Sequence, residues 1–169
     1  MPKKISPEEF AKISLDMIDS DVIKKTGYQQ YSAEEDKEIY ELLASKKWGK
    51  AEQRVLEFLQ ANPYDIFMRN FLTYIQIKKQ EYPVAEMLIQ GTEKLDPTEL
   101  KCKTYYLYIC FLLGMQEEVE RKRKEIDVIL QTPQSENVPN ELLYAQEIYF
   151  LELLDKARQK KSEDLEISY

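Results

Sequence analysis

The chain has 169 residues, 24 of them basic and 31 acidic; the net charge of −7 repels phosphate backbones and anionic lipid surfaces, which excludes nucleic acid and membrane as expected partners. Hydrophobic residues make up 43% and charged residues 33%, with only four glycines, the balance of one helical domain with a continuous core. There is no histidine. That removes the commonest general base, the imidazole metal ligand and the Ser-His-Asp and Cys-His arrangements. With no glycine-rich phosphate loop either, no enzymatic activity, cofactor or metal is expected.

The first stretch, "MPKKISPEEFAKISLDMIDSD", is charged throughout and lacks the apolar centre of a secretion signal. No apolar run approaches the ~18 residues needed to span a bilayer, so a cytoplasmic location is expected. Within that stretch Ser6, Pro7 and Glu9 form the pattern of a capped helix start. Phe10, Ile13 and Met17 then fall at helical spacing and are expected to share a face. Residues 6–31 are assigned to an N-terminal helix and linker.

Next, "EIYELLASKK" sets Ile39, Leu42 and Leu43 at helical spacing, and "AEQRVLEFLQA" does so with Ala51, Val55, Phe58 and Leu59. Pro63 and Pro97 each end a helix, because the residue before proline is pushed out of the helical region. Pro83 suits a first helical turn. Gly91, inside a helical pattern, marks either a close packing point or a soft one. Cys102 and Cys110 are eight positions apart on a helix, ~12 Å along its axis, so they are expected as buried thiols and not as a disulfide. Glu117, Glu118 and Glu120 followed by Arg121, Lys122, Arg123 and Lys124 read as a solvated, mutually paired helix surface. After a polar loop, "NELLYAQEIYFLELLDKARQKK" predicts one long amphipathic helix with Asn140 as its cap and Lys156, Arg158, Lys160 and Lys161 near its negative end. The tail "SEDLEISY" is expected to fray.

One phrase is written twice. "SKKWGKAEQRVLEFLQANPYD" and "KKQEYPVAEMLIQGTEKLDP" align Trp48 with Tyr82, Ala51 with Ala85, Asn62 with Asp96 and Pro63 with Pro97, every pair 34 apart. An aromatic at the inter-helix turn, an alanine three residues later and a closing proline at this period resemble the tetratricopeptide repeat. The resemblance implies an all-α fold: an α-solenoid of about three helix-turn-helix repeats with N- and C-terminal capping helices, in a single domain spanning 1–169. Repeat one is assigned to 32–65, repeat two to 66–99 and a degenerate third to 100–133, with Gly114 at its turn, Val119 in place of the alanine and Gln131 in place of the proline. Residues 139–161 form the C-terminal cap.

Tyr40, Tyr74 and Tyr108 are again separated by 34 and 34. In the family that position faces a concave groove, so the resemblance implies a column of phenols, with Asn70, Ile77, Thr104 and Phe111 one helical turn away as further groove residues. The same periodicity also fits tyrosines packed in the core between repeats. Tyr105 and Tyr106 adjoin Tyr108, so at least one of the three is core. Some members of the family grip a C-terminal carboxylate; here Lys101 and Asn70 stand near such positions, but Asp36 and Tyr40 occupy those needing basic and amide groups, and no such clamp is carried over. The expected function is a non-enzymatic protein–protein interaction module that binds a peptide segment or partner domain in its groove. Two alternatives stay open. One is a small acidic chaperone that holds secretion substrates; the other is a structural subunit, monomer or weak homodimer, that self-associates through the exposed end of the array or the helix at 140–161.

Overall fold

Helix α1 (Pro7–Ile18) begins as its first residues dictate: the Ser6 hydroxyl accepts from the Glu9 N–H at 3.1 Å, and the Ser6 N–H donates to Glu9 Oε1 at 3.4 Å. The computed structural model describes residues 4–19 and 37–160. The expected linker beyond residue 19, the start of repeat one, Asp36, Lys161 and the tail lie outside the described residues. After α1 come α2 (Lys37–Ala44), α3 (Trp48–Ala61), α4 (Ile66–Lys78), α5 (Tyr82–Leu95), α6 (Leu100–Leu112) and α7 (Gln116–Gln131), then the short α8 (Asn140–Leu143) and α9 (Ala145–Lys160). The fold is all-α, with no strand among the described residues.

The chain divides into two compact units, Met1–Pro97 and Thr98–Tyr169, and the division falls at the proline that closes the second repeat. In the first unit α2, α3, α4 and α5 pack in chain order, each against the next, in the manner of a helical repeat. Helix α1 covers the two second helices, mainly α5 and to a lesser extent α3. Ile39, Ala51, Val55, Leu59, Ile75 and Leu88 are buried at the centre. In the second unit α6 packs against α7 and α9, and α8 against α9. Leu107, Ile109, Ile126 and Leu154 form its core.

The hairpin turns repeat as faithfully as the helices. Lys46 (φ 57°), Gln80 (φ 62°) and Gly114 (φ 72°) each occupy the left-handed region, 34 residues apart. Each donates back to the helix it leaves, and the next residue's N–H reaches a carbonyl five residues back: Lys47 to Leu42, Glu81 to Gln76 and Met115 to Cys110, at 2.8–2.9 Å. This closes the helix C-terminus with paired carbonyls. The prolines act as expected, since Asn62 (φ −136°) and Asp96 (φ −144°) leave the helical region immediately before Pro63 and Pro97.

Three local expectations are corrected. Helix α1 buries Phe10, Ala11, Ser14 and Ile18, while Ile13 and Met17 are exposed. The buried face runs through Phe10, Ser14 and Ile18 at four-residue steps, where the Ser14 hydroxyl accepts from Arg69 Nη1 at 3.1 Å, and not through Phe10, Ile13 and Met17. Lys122 is buried and not solvated; its ammonium lies 4.2 Å from the centroid of the Tyr106 ring. Lastly, the final helix is interrupted at Tyr144 (φ −117°), and Pro139 occupies the cap position in place of Asn140. The Asn140 amide instead donates to the carbonyls of Leu130 (2.8 Å) and Thr132 (2.9 Å) and accepts from the Gln134 N–H (3.2 Å), which ties down the loop before it.

Candidate functional site

In the first unit the first helices of its two hairpins are α2 and α4. Tyr40 on α2 meets Phe71 on α4 edge to face, with ring centroids 5.3 Å apart. It is 39% exposed. Phe67, one turn before Phe71, is 41% exposed, so two half-open rings flank a buried one. Tyr74 is itself buried, its ring set edge-on to Trp48 at 6.2 Å and approached by the Lys78 ammonium at 5.7 Å. Ile77, a turn further on, is buried. Asn70 is 1% exposed, and neither its amide nitrogen nor its amide oxygen has a hydrogen-bond partner. A buried unmatched amide costs about 1–3 kcal/mol, so it marks a place where the fold bears a penalty.

In the second unit Thr104 is buried and its hydroxyl donates to the Leu100 carbonyl at 2.8 Å, which satisfies it within α6. Tyr108 is buried against Phe150 of α9, edge to face at 5.4 Å. Tyr105 and Tyr106 are buried as well. Phe111 is half-buried and lines a cleft beside the turn after α6. Of the seven residues read as groove-facing, then, Tyr40 and Phe111 keep open surface, while Asn70, Tyr74, Ile77, Thr104 and Tyr108 are buried. Burial pushes the Lys101 ammonium below the ordinary lysine range, against the raising influence of the Glu147 and Glu99 carboxylates.

The polar centres that sequence reasoning missed are cationic. Arg69 on α4 is 0% exposed. Its Nε donates to Thr92 Oγ1 (2.9 Å), Nη1 to Ser14 Oγ (3.1 Å) and the Pro63 carbonyl (3.1 Å), and Nη2 to the Leu88 carbonyl (3.0 Å). The guanidinium also lies over Phe10, 5.5 Å from the ring centroid. One side chain thus joins α1, α4, α5 and the loop before α4. Gly91 is the matching vacancy: a Cβ there would lie 2.4 Å from Arg69 Nη2 and 3.1 Å from Ile18 Cδ1, so the glycine marks close packing and not a soft point. In the second unit Lys103 and Lys122 are both buried and approach Glu125 Oε2 at 3.6 and 3.3 Å. That oxygen makes no directional hydrogen bond, so the attraction is one of charge alone.

Among the described residues no group of acidic, cysteine or histidine side chains could hold a metal ion, and no helix is long and apolar enough to cross a membrane. Comparison with protein-family models, with curated proteins and with solved structures finds no match for this chain. What the fold defines is a class, an all-helical repeat arrangement, and the reading of function rests on its surfaces.

Proposed function

We propose that the chain is a non-enzymatic protein-interaction module of the tetratricopeptide type that its 34-residue spacing resembles, and that it engages an extended apolar segment of a partner protein. The observation that carries this reading is the pair of half-open rings, Tyr40 and Phe67, on successive first helices over the buried Phe71. Aromatic rings held by a rigid scaffold offer large contact area at low entropic cost. The test uses peptides selected by phage display on the wild-type protein. Replacing Tyr40 and Phe67 together with alanine should weaken their binding by about tenfold or more while circular dichroism stays unchanged. Equal binding by the double variant overturns the reading.

A second reading, self-association, is favoured by the exposed Leu142 on α8 and Tyr149 on α9. Light scattering over a concentration series, repeated with Leu142→Glu and Tyr149→Glu, should show mass falling in the variants if those side chains pair two copies. A concentration-independent monomer mass in the wild type removes it.

A further inference from the structure

Where the turn between α6 and α7 meets the last turns of α9, within the unit Thr98–Tyr169, a cleft of about 640 Å³ opens. That volume falls in the range of small-molecule sites, roughly 300–1,000 Å³. Its apolar lining comes from Phe111, Met115 and Val119, and its charged lining from Glu120, Asp155 and Arg158.

The three charges are not equivalent. Asp155 is already held by Arg123, whose Nε and Nη2 reach its two carboxylate oxygens at 3.3 and 3.2 Å. Arg158 Nη1 stands 3.7 Å from Asp155 Oδ1, beyond hydrogen-bond distance, so its donors keep capacity for another carboxylate. Glu120 makes no ion pair among the described residues. Glu120, which has no ion pair among the described residues, and Arg158, whose donors extend beyond its loose pair with Asp155, therefore line one cleft together with apolar side chains, so a ligand that carries both charges can engage both. A small zwitterion with an apolar body satisfies both.

We propose that this cleft binds an apolar amino acid or short peptide with free ends, its ammonium on Glu120, its carboxylate on Arg158 and its side chain against Phe111, Met115 and Val119. The site is separate from the Tyr40 and Phe67 face and does not depend on it.

The experiment is a titration of the full chain, by calorimetry and by NMR shifts at residues 111–120 and 155–159, with leucine, Leu-Leu, N-acetyl-Leu-Leu and Leu-Leu-amide. Saturable binding of leucine or Leu-Leu is expected, and whichever binds more tightly identifies the source as free amino acid or peptide. Blocking either end should weaken binding by about tenfold, the size of one charge-assisted contact. Arg158→Gln should weaken Leu-Leu but leave Leu-Leu-amide unaffected; Glu120→Gln should weaken Leu-Leu but leave the acetylated form unaffected. Both side chains have solvent-facing surface, so each variant should fold. Lack of saturable binding, or loss of affinity that ignores which end is blocked, overturns the proposal.

Discussion

Arg69 and Lys103 stand 34 residues apart, at the same register of α4 and α6, and both are buried, yet each unit satisfies its cation differently. In the unit Met1–Pro97 a planar guanidinium spreads its donors over two hydroxyls and two carbonyls at 2.9–3.1 Å. In the unit Thr98–Tyr169 an ammonium, having no fork, shares the Glu125 carboxylate with a second lysine that lies on the ring of Tyr106. An inward cation on a first helix is thus a matter of repeat register. What surrounds it decides whether it is a staple or one member of a charge cluster.

The comparison breaks most sharply on removal of each cation. Arg69→Met should cost about 3–5 kcal/mol in urea denaturation, since it removes the four hydrogen bonds of a fully buried guanidinium, takes the donor from the Pro63 carbonyl and unfastens α1 from α4 and α5. Amide exchange should accelerate in α1 before it does in α7. Lys103→Met should stay within about 1 kcal/mol of wild type, because methionine fills the same space and Glu125 keeps Lys122. Equal costs for the two would erase the distinction.

Gly91 sharpens the same contrast. In the wild type Gly91→Ala should cost about 1–3 kcal/mol, as the new methyl meets the guanidinium at 2.4 Å, a group pinned by its bonds. In an Arg69→Met background the obstruction yields, and alanine's better helix propensity, worth up to ~1 kcal/mol, should reverse the sign. A double-mutant cycle measures this; additive effects would show that Gly91 is there for another reason.

The turns differ between units in a way that ranks next in size. Gly114 adopts φ 72° without penalty, whereas Lys46 and Gln80 adopt φ 57° and 62° with a side chain attached. Gly114→Ala should cost about 1–2 kcal/mol, while Lys46→Gly and Gln80→Gly should be neutral or stabilising by up to about 1 kcal/mol, as read from denaturation midpoints.

These contrasts also show what a one-dimensional reading could reach. The capping box at Ser6, the helix ends before Pro63 and Pro97 and the pairing of helices at a period of 34 are consequences of local chemistry, and they were legible. The left-handed turns at Lys46 and Gln80 were not, because neither residue announces a positive φ; only their distance from Gly114 does. Arg69 reads as a surface residue in isolation, though its offset from Lys103 was a usable signal. For the tyrosines, periodicity establishes equivalence of position and nothing about exposure. Trp48 arrives from α3 to cover Tyr74, and Phe150 from α9 to cover Tyr108, neither of them predictable from the spacing of the tyrosines. Tyr40 stays half-open although its ring meets Phe71 edge to face.

The smallest expected effect concerns Lys101, on α6 two residues before Lys103. Burial holds its ammonium below the ordinary lysine value of 10.5, outweighing Glu147 and Glu99, which pull the other way. The folded protein therefore binds this proton less tightly than the unfolded chain. The resulting penalty is fully present below the folded pKa and fades as pH rises through it towards 10.5. Lys101→Met should accordingly be slightly more stable than wild type at neutral pH, and that advantage should shrink on the alkaline side as the wild-type amine loses its charge. Urea denaturation of both proteins from neutral to alkaline pH checks the trend. Glu147 and Glu99 lose an attraction in the variant, but solvent screening keeps that loss small for groups near the surface. An advantage that grows with pH would mean that the carboxylates, and not burial, govern this lysine. Its environment would then resemble the charge cluster around Lys103 instead of opposing it.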